Sequence, residues 1–334
     1  MIIDEEVERR SPHIMLSRKE VQECISSIFP NNIVESYDLA KTGLSNTNYI
    51  ISLDNKRKVV LRVYPEKDTI KKGKELKISE LLLDFLEVPQ IHQPPSFTHN
   101  GFEWNVVDFV DGITLIEAQS LDHDLLLEAY FEIGAILAKL KNITFPTCGL
   151  LNEKLEVQEI KTITSAFHPV VNFIMDCFND KNFIKRVEVD LQNELRDLVI
   201  KQEHILYKIE HESHLVHGDF KVENILVKRA NNDHLHLSGV LDWEHARADT
   251  SYGDIATLFR GNYDTNSVLK REFQRGYESM GISLIENWDK VIKIIDLINL
   301  CSFLCSNADR VLLHRSTIKH LNDTIYYFKE GGSI

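Results

Sequence analysis

The sequence predicts an α+β protein of two lobes, a small β-rich lobe first and a larger, mainly helical lobe after it. Three observations lead there. Between Leu39 and Tyr64 the runs "YIISL" and "VVLRVY" are rich in β-branched and aromatic residues and flank the turn formers Asp54 and Asn55, a hairpin pattern. After Gly112 the pattern changes to apolar positions three and four apart, as in "LDHDLLLEAYFEIGAILAKL". Within that helical half lies one small strand-rich patch, "HLVHGDF", "NILVK" and "HLSGVLDW", whose strands open and close on polar residues.

Taken in chain order, residues 1–35 form an N-terminal extension and residues 1–110 as a whole the first lobe. After the hairpin, "KKGKELKISELLLDFL" sets Ile78, Leu82, Leu83 and Leu86 at helical spacing, and Val88-Pro89 ends that helix. A strand pair turns at Asn100-Gly101, and "FEWNVVDFV" leads to the junction at Asp108 to Gly112. Residues 111–334 form the second lobe. There Ile133, Ile136, Leu137 and Leu140 make one stripe, Val187 to His211 is helical, and helical signals resume from Tyr252. The segment from Thr144 to Asp180 carries no readable motif.

With 334 residues the chain can bury a core in each lobe. Thirty-eight basic and 51 acidic residues give a net charge of −13, which disfavours nucleic acid as partner and suits a cationic one. The five cysteines show no CxxC pair, as expected of reduced thiols in a cytoplasmic protein. "MIIDEEVERR" is too acidic for a signal or transit peptide. Lys293 and Asp296 interrupt the most apolar helix, so it reads as a core helix and not a membrane span. A cytoplasmic monomer or homodimer with no membrane partner is the expectation.

The chemistry concentrates in "HGDFKVENILV". His217, Asp219, Lys221 and Asn224 come from one strand-loop-strand, and Asp242 closes the next strand, "GVLDW". The hairpin between Asn224 and Asp242 is short, so the two carboxylates can meet at one mouth. An amide and a carboxylate are hard oxygen ligands suited to magnesium. A second, unligated carboxylate can accept a hydroxyl proton.

These stretches resemble the aminoglycoside phosphotransferase and choline kinase family, small-molecule kinases on a bilobal protein-kinase-like fold. "VHGDFKVENILV" resembles the family's catalytic loop, and "GVLDWEHARADTSYGDIA" its metal-binding aspartate with the loop that follows. "GLSNTNYIISL" with "KVVLRVY" resembles its nucleotide-covering hairpin, and "WNVVDFVDGITL" its hinge. The likeness runs from about Leu39 to Ala256 and less specifically beyond.

The resemblance implies ATP and Mg2+ as cofactors. It makes Asp219 the base that orients the acceptor hydroxyl, Lys221 a γ-phosphate contact, and Asn224 and Asp242 the metal ligands. It leaves His217 and Asp254 structural roles around the loop. In the first lobe, Gly43, Ser45 and Asn46 offer groups to phosphate oxygens, and Val60 covers the adenine. Arg62 stands where a lysine is usual, paired with a helix glutamate, Glu75 in preference to Glu80. The Asp108 carbonyl and the Val110 N–H read the adenine edge, and Val107 as gatekeeper favours ATP over GTP. Glu244 and His245 face the acceptor.

Two departures stand out. Lys141 follows Leu140 where the family often has histidine, and Ala248-Asp249-Thr250 replaces the usual Gly-Asp-Pro. The implied activity is ATP- and Mg-dependent phosphoryl transfer to a hydroxyl of a small molecule, an aminoglycoside or amino alcohol. Homoserine, a sugar or a macrolide suits the same core, and a non-catalytic nucleotide-binding regulator is the alternative of another class.

Overall fold

The computed structural model describes residues 11–40, 46–65, 69–83, 86, 88–93, 98–99, 101–121, 123–158, 168–209, 212–230, 233–261 and 267–331. The first lobe is one antiparallel sheet. Strands β1 (Val34–Leu39), β2 (Thr47–Leu53) and β3 (Lys58–Tyr64) follow one another, and the short β4 (Ile91–His92) and β5 (Thr98–His99) both pair with β6 (Phe102–Asp108), which lies beside β3. Strict alternation of buried and half-buried residues along β2 turns Thr47, Tyr49, Ile51 and Leu53 to one face. Helix α1 (Arg18–Ile28) covers that face, and its Val21, Cys24 and Ile25 join Ile51, Leu61, Trp104 and Val106 in a local core. Ser17 and Glu20 close the α1 N-terminus reciprocally, as a capping box.

Helix α2 (Thr69–Leu82) is shorter than its apolar run suggests. Leu81, Leu82 and Leu83 are consecutive, and at about 100° per residue they cannot share one face. Leu82 is buried, Leu83 is exposed, and Leu86 is buried beyond the helix end. Ile78, Leu82, Leu86 and Val88 belong to the larger cluster that fills the second lobe. So α2, though preceded and followed by strands of the first sheet, shares its core with the second lobe.

In the second lobe β7 (Ile113–Thr114) leads into α3 (Leu115–Ala118), α4 (Leu127–Leu140) and β8 (Gly149–Leu150). Three helices follow, α5 (Pro169–Cys177), α6 (Lys181–Arg186) and α7 (Val189–Gln202), the last continued by a 3₁₀ turn. Then come β9 (His214–Val216), β10 (Ile225–Arg229), β11 (Leu235–Val240) and β12 (Arg247–Asp249). They form two small sheets, in the orders β11-β10-β7 and β8-β12-β9. Helices α8 (Tyr252–Leu258), α9 (Ser267–Glu278), α10 (Trp288–Cys305) and α11 (Val311–Lys329) close the lobe.

The Lys293 and Asp296 that interrupt α10 are both buried, and Arg260 donates to both Asp296 oxygens, at 2.6 to 3.1 Å. No helix among the described residues is long and apolar enough to cross a membrane.

Helices α4 and α9 approach backbone to backbone. A Cβ on Gly276 would collide with the Phe131 carbonyl, and one on Gly134 with the Phe273 carbonyl. Neither neighbour is a flexible side-chain end that could swing away. Gly276→Ala is therefore expected to destabilise the protein by about 1–3 kcal/mol through overpacking. Chemical unfolding of the variant beside the parent protein measures it, and an unchanged midpoint would contradict the close approach.

Candidate active site

Strands β10 and β11 pair antiparallel, with Ile225 opposite Val240, and Leu241 N–H donates to the Asn224 carbonyl at 2.8 Å. Asn224 and Asp242 therefore stand at the same end of one hairpin. Preceding β10, the loop folds on itself. Asn224 Nδ2 donates to the Asp219 carbonyl at 2.9 Å and to Asp219 Oδ2 at 3.3 Å, and Lys221 Nζ reaches Asp219 Oδ2 at 2.8 Å. With its amide nitrogen committed to Asp219, the group Asn224 can offer a cation is its oxygen.

Two groups brace this loop from below. Asp254 accepts from His217 N–H at 2.7 Å and from Gly218 N–H at 2.8 Å, one bond to each carboxylate oxygen. Burial pushes its carboxyl up, opposed by His217, by those two N–H groups and by Arg247. His217 is fully buried between Trp243 and Phe220. Its Nδ1 accepts from Asp219 N–H at 3.2 Å, so Nδ1 carries no proton, and Nε2 donates to the Leu241 carbonyl at 2.8 Å. Both nitrogens serve the backbone, which makes the imidazole a strut of the loop.

Asp242 adopts a left-handed backbone conformation (φ 65°, ψ 64°), uncommon outside glycine. Its Oδ1 is buried with no hydrogen-bond partner. Buried carboxylate oxygens are rarely left so, because the desolvation cost goes uncompensated. Beside it, Arg62 Nη1 on β3 donates to Glu75 Oε1 on α2 at 3.0 Å, with both side chains almost fully buried. Glu80 pairs instead with Lys77 on the surface.

Burial pushes the Glu75 carboxyl up, to about 7; Arg62 opposes this, while Asp242 and Glu244 add to it. Burial works against the Arg62 cation too, and Glu75, Tyr64 and Asp242 together more than offset it. The two partners thus pull apart. Arg62 stays cationic beside a Glu75 carboxyl that burial pushes up.

Helix α2 is tied to the second lobe at this point. Lys74, buried next to Glu75, donates to the Ala246 carbonyl at 2.8 Å, four residues past Asp242. Glu244, largely buried, contacts His245 Nε2 at 3.1 Å. Nothing in the sequence marks Lys74, one of several lysines on the polar part of α2, because its partner lies 172 residues away.

At the junction of the lobes Val60 pairs with Val107 and Val59 with Asp108. The Asp108 side chain faces Arg57 at 2.6 Å and His92 at 2.9 Å, and its N–H donates to the Gln90 carbonyl at 2.9 Å. Val107 and Val110 are both buried. Asn46 is half-buried at the start of β2, while Gly43 and Ser45 lie outside the described residues. A cavity of about 690 Å³ sits near the junction, lined by Arg57, Leu86, Val88, Gln90 and Phe109 among others. Asp108 and Val110 line it as well, whereas Arg62, Asp219, Asn224 and Asp242 do not.

The family model described as "Phosphotransferase enzyme family" (APH) matches residues 38–291. The chain belongs to that family. No curated protein matches it by sequence. Among solved structures, aminoglycoside phosphotransferase APH(4)-Ia, a thermostable mutant in ternary complex with AMP-PNP and hygromycin B, superposes with a TM-score of 0.64 at 14% identity, covering 94% of this chain and 99% of that one. APH(2")-IIia, in complex with GDP and kanamycin, gives 0.65 at 14%, with 94% and 99% covered. ADP-bound APH(2'')-Ib gives 0.57 at 15%, with 94% and 99% covered. At such identities the likeness establishes the bilobal kinase-like fold, and the family match makes the chain a phosphotransferase.

Asp254→Asn tests the brace. An amide has one oxygen where two N–H groups now find one each, so one buried N–H loses its acceptor. The expected cost is about 1–3 kcal/mol, read as a lowered midpoint in urea unfolding. An unchanged midpoint would contradict the double acceptor.

Proposed function

We propose that this phosphotransferase moves the γ-phosphate of ATP, in the presence of magnesium, to a hydroxyl of a small cationic molecule, an aminoglycoside or an amino alcohol. The observation that carries the proposal is the meeting of Asp219, Lys221 and Asn224 on one loop with an Asp242 whose Oδ1 is buried and unpartnered. That orphaned oxygen, beside an amide oxygen at the same hairpin end, fits a hard divalent cation completed by phosphate oxygens. Among the described residues no three His, Cys, Asp or Glu side chains converge as an all-protein metal site, in keeping with a cation that arrives with its nucleotide. Asn224 and Asp242 would hold it, and magnesium would there neutralise phosphate charge.

The remaining residues bind and orient. Arg62, fixed by Glu75, meets phosphate oxygens with a planar fork. Asn46 offers its groups to phosphate oxygens; Gly43 and Ser45, given the same role by the resemblance, lie outside the described residues. Val60 covers the adenine, and the Asp108 carbonyl and Val110 N–H meet its edge. Asp219 accepts the proton of the acceptor hydroxyl as the new oxygen–phosphorus bond forms. The bond from the γ-phosphorus to the bridging oxygen breaks, and ADP leaves with that electron pair. Lys221, already beside Asp219, balances charge on the transferred group.

The acceptor is read from charge. A net −13 suits a cationic substrate, and Glu244 with His245 supplies polar groups beside the catalytic loop. Hygromycin B and kanamycin occupy relatives of the same fold. Homoserine, sugars and macrolides are the other acceptors this core admits.

Coupled ADP release with Mg-ATP against hygromycin B, kanamycin, choline, homoserine, simple sugars and a macrolide tests the proposal. Turnover with one cationic compound is expected, reduced about 10²–10⁴-fold in Asp219→Asn with nucleotide affinity retained. Mg-ATP binding with no turnover on any compound would contradict catalysis and favour a nucleotide-binding regulator.

A further inference from the structure

The two places where the chain departs from its family's usual pattern, Lys141 and Thr250, are far apart in sequence and share one partner. Lys141 Nζ, just beyond the end of α4, donates to Glu212 Oε1 at 2.7 Å. Thr250 Oγ1, just before α8, donates to Glu212 Oε2 at 3.0 Å. The carboxylate is largely shielded, 19% exposed, with Lys141 at 13%, so the pair is not a loose surface contact.

Glu212 stands where three segments meet. It lies two residues before β9, which runs directly into His217, Gly218 and Asp219. The chain after Lys141 is stitched to the same strand, by Leu215 N–H to the Ile143 carbonyl at 2.8 Å and Phe145 N–H to the Ser213 carbonyl at 3.0 Å. On the other side β9 pairs with β12, His214 opposite Asp249.

From Thr250 the contacts continue toward the catalytic loop. Thr250 N–H donates to Asp249 Oδ1 at 2.8 Å, and Asp249 Oδ2 accepts from Arg247 Nε at 2.8 Å. The Arg247 guanidinium packs against Gly218, which has a positive φ of 81° and no room for a Cβ. Thr250 Oγ1 also accepts from Tyr252 N–H at 3.4 Å, at the start of the helix that carries Asp254.

We propose that Glu212 is a positioning residue for phosphoryl transfer. Its two oxygens fix the end of α4 to the head of α8, and through β9, Arg247 and Asp254 they set where Asp219 stands. This rests on the phosphotransfer reading for its kinetic consequence, and on the contacts alone for its structural one.

Three variants of the full chain test it: Glu212→Gln, Thr250→Val, which removes only the hydroxyl, and the exchange of Lys141→Glu with Glu212→Lys. In the exchange the lysine introduced at 212 can donate both to the new glutamate and to the threonine. Backbone hydrogen exchange of the peptide spanning 215–220 is compared with that of the β2–β3 hairpin. Where a compound of the panel is turned over, kcat and KM for ATP are measured too.

In Glu212→Gln, exchange in the loop is expected to quicken about 5-fold or more with the hairpin unchanged. kcat is expected to fall about 10-fold with KM for ATP held within about 2-fold, since a displaced base slows chemistry and leaves nucleotide binding intact. Thr250→Val should move both readouts the same way by less, and the exchanged pair should recover most of each. Loop exchange and kcat at parent values in Glu212→Gln would overturn the proposal. So would equal quickening across the whole chain, or a pair no better than the single variant. If the parent protein turns over none of the compounds, phosphotransfer fails separately, and the exchange measurement still decides whether Glu212 positions the loop.

Discussion

Everything in the cleft depends on a shortage of positive charge. Glu75, Asp242 and Glu244 lie within electrostatic reach of one another, and Arg62 is the cation set among them. Burial pushes the Glu75 carboxyl up, and the neighbouring Asp242 and Glu244 add to that push. A divalent cation at Asp242 would relieve it, which gives a physical reason for magnesium that is independent of any likeness to other proteins. In the proposed reading Arg62 holds Glu75 with one edge of its fork and keeps donors for phosphate.

That charge cluster works only if its members, drawn from both lobes, are held in register. Arg62 comes from β3, Glu75 from α2, and Asp242 from the end of β11. Helix α2 is the bridge, for its Ile78 and Leu82 pack into the core of the second lobe and Lys74 holds the Ala246 carbonyl. Beneath the opposite wall, Asp254, His217 and Glu212 hold the backbone that carries Asp219. The loop from His217 to Asn224 is thus built on buried hydrogen bonds to main-chain groups, which fix position more firmly than contacts between flexible side-chain ends.

The sequence made local features legible and distant pairings not. The β2–β3 hairpin, the α4 stripe and the loop from His217 to Asn224 are spelled out over fewer than twenty residues each, and periodicity or spacing suffices for them. Ile78, Leu82, Leu83 and Leu86 read as one stripe, yet α2 ends at Leu82 and, of the adjacent Leu82 and Leu83, only Leu82 faces the core. Lys74 to Ala246 and Lys141 to Glu212 to Thr250 join residues 38 to 172 positions apart. No spacing rule reaches that far. Lys141 and Thr250 could be noticed only as exceptions, and their common carboxylate became visible only in three dimensions.

The most direct test of the charge shortage is the metal dependence of nucleotide binding. Calorimetric titration with AMP-PNP, with and without Mg2+, is compared between the parent protein and Asp242→Asn. The account predicts that Mg2+ strengthens AMP-PNP binding to the parent protein and that Asp242→Asn loses this increment while its metal-free affinity holds or rises, one negative charge having been removed. Affinity that ignores both Mg2+ and the substitution would contradict it.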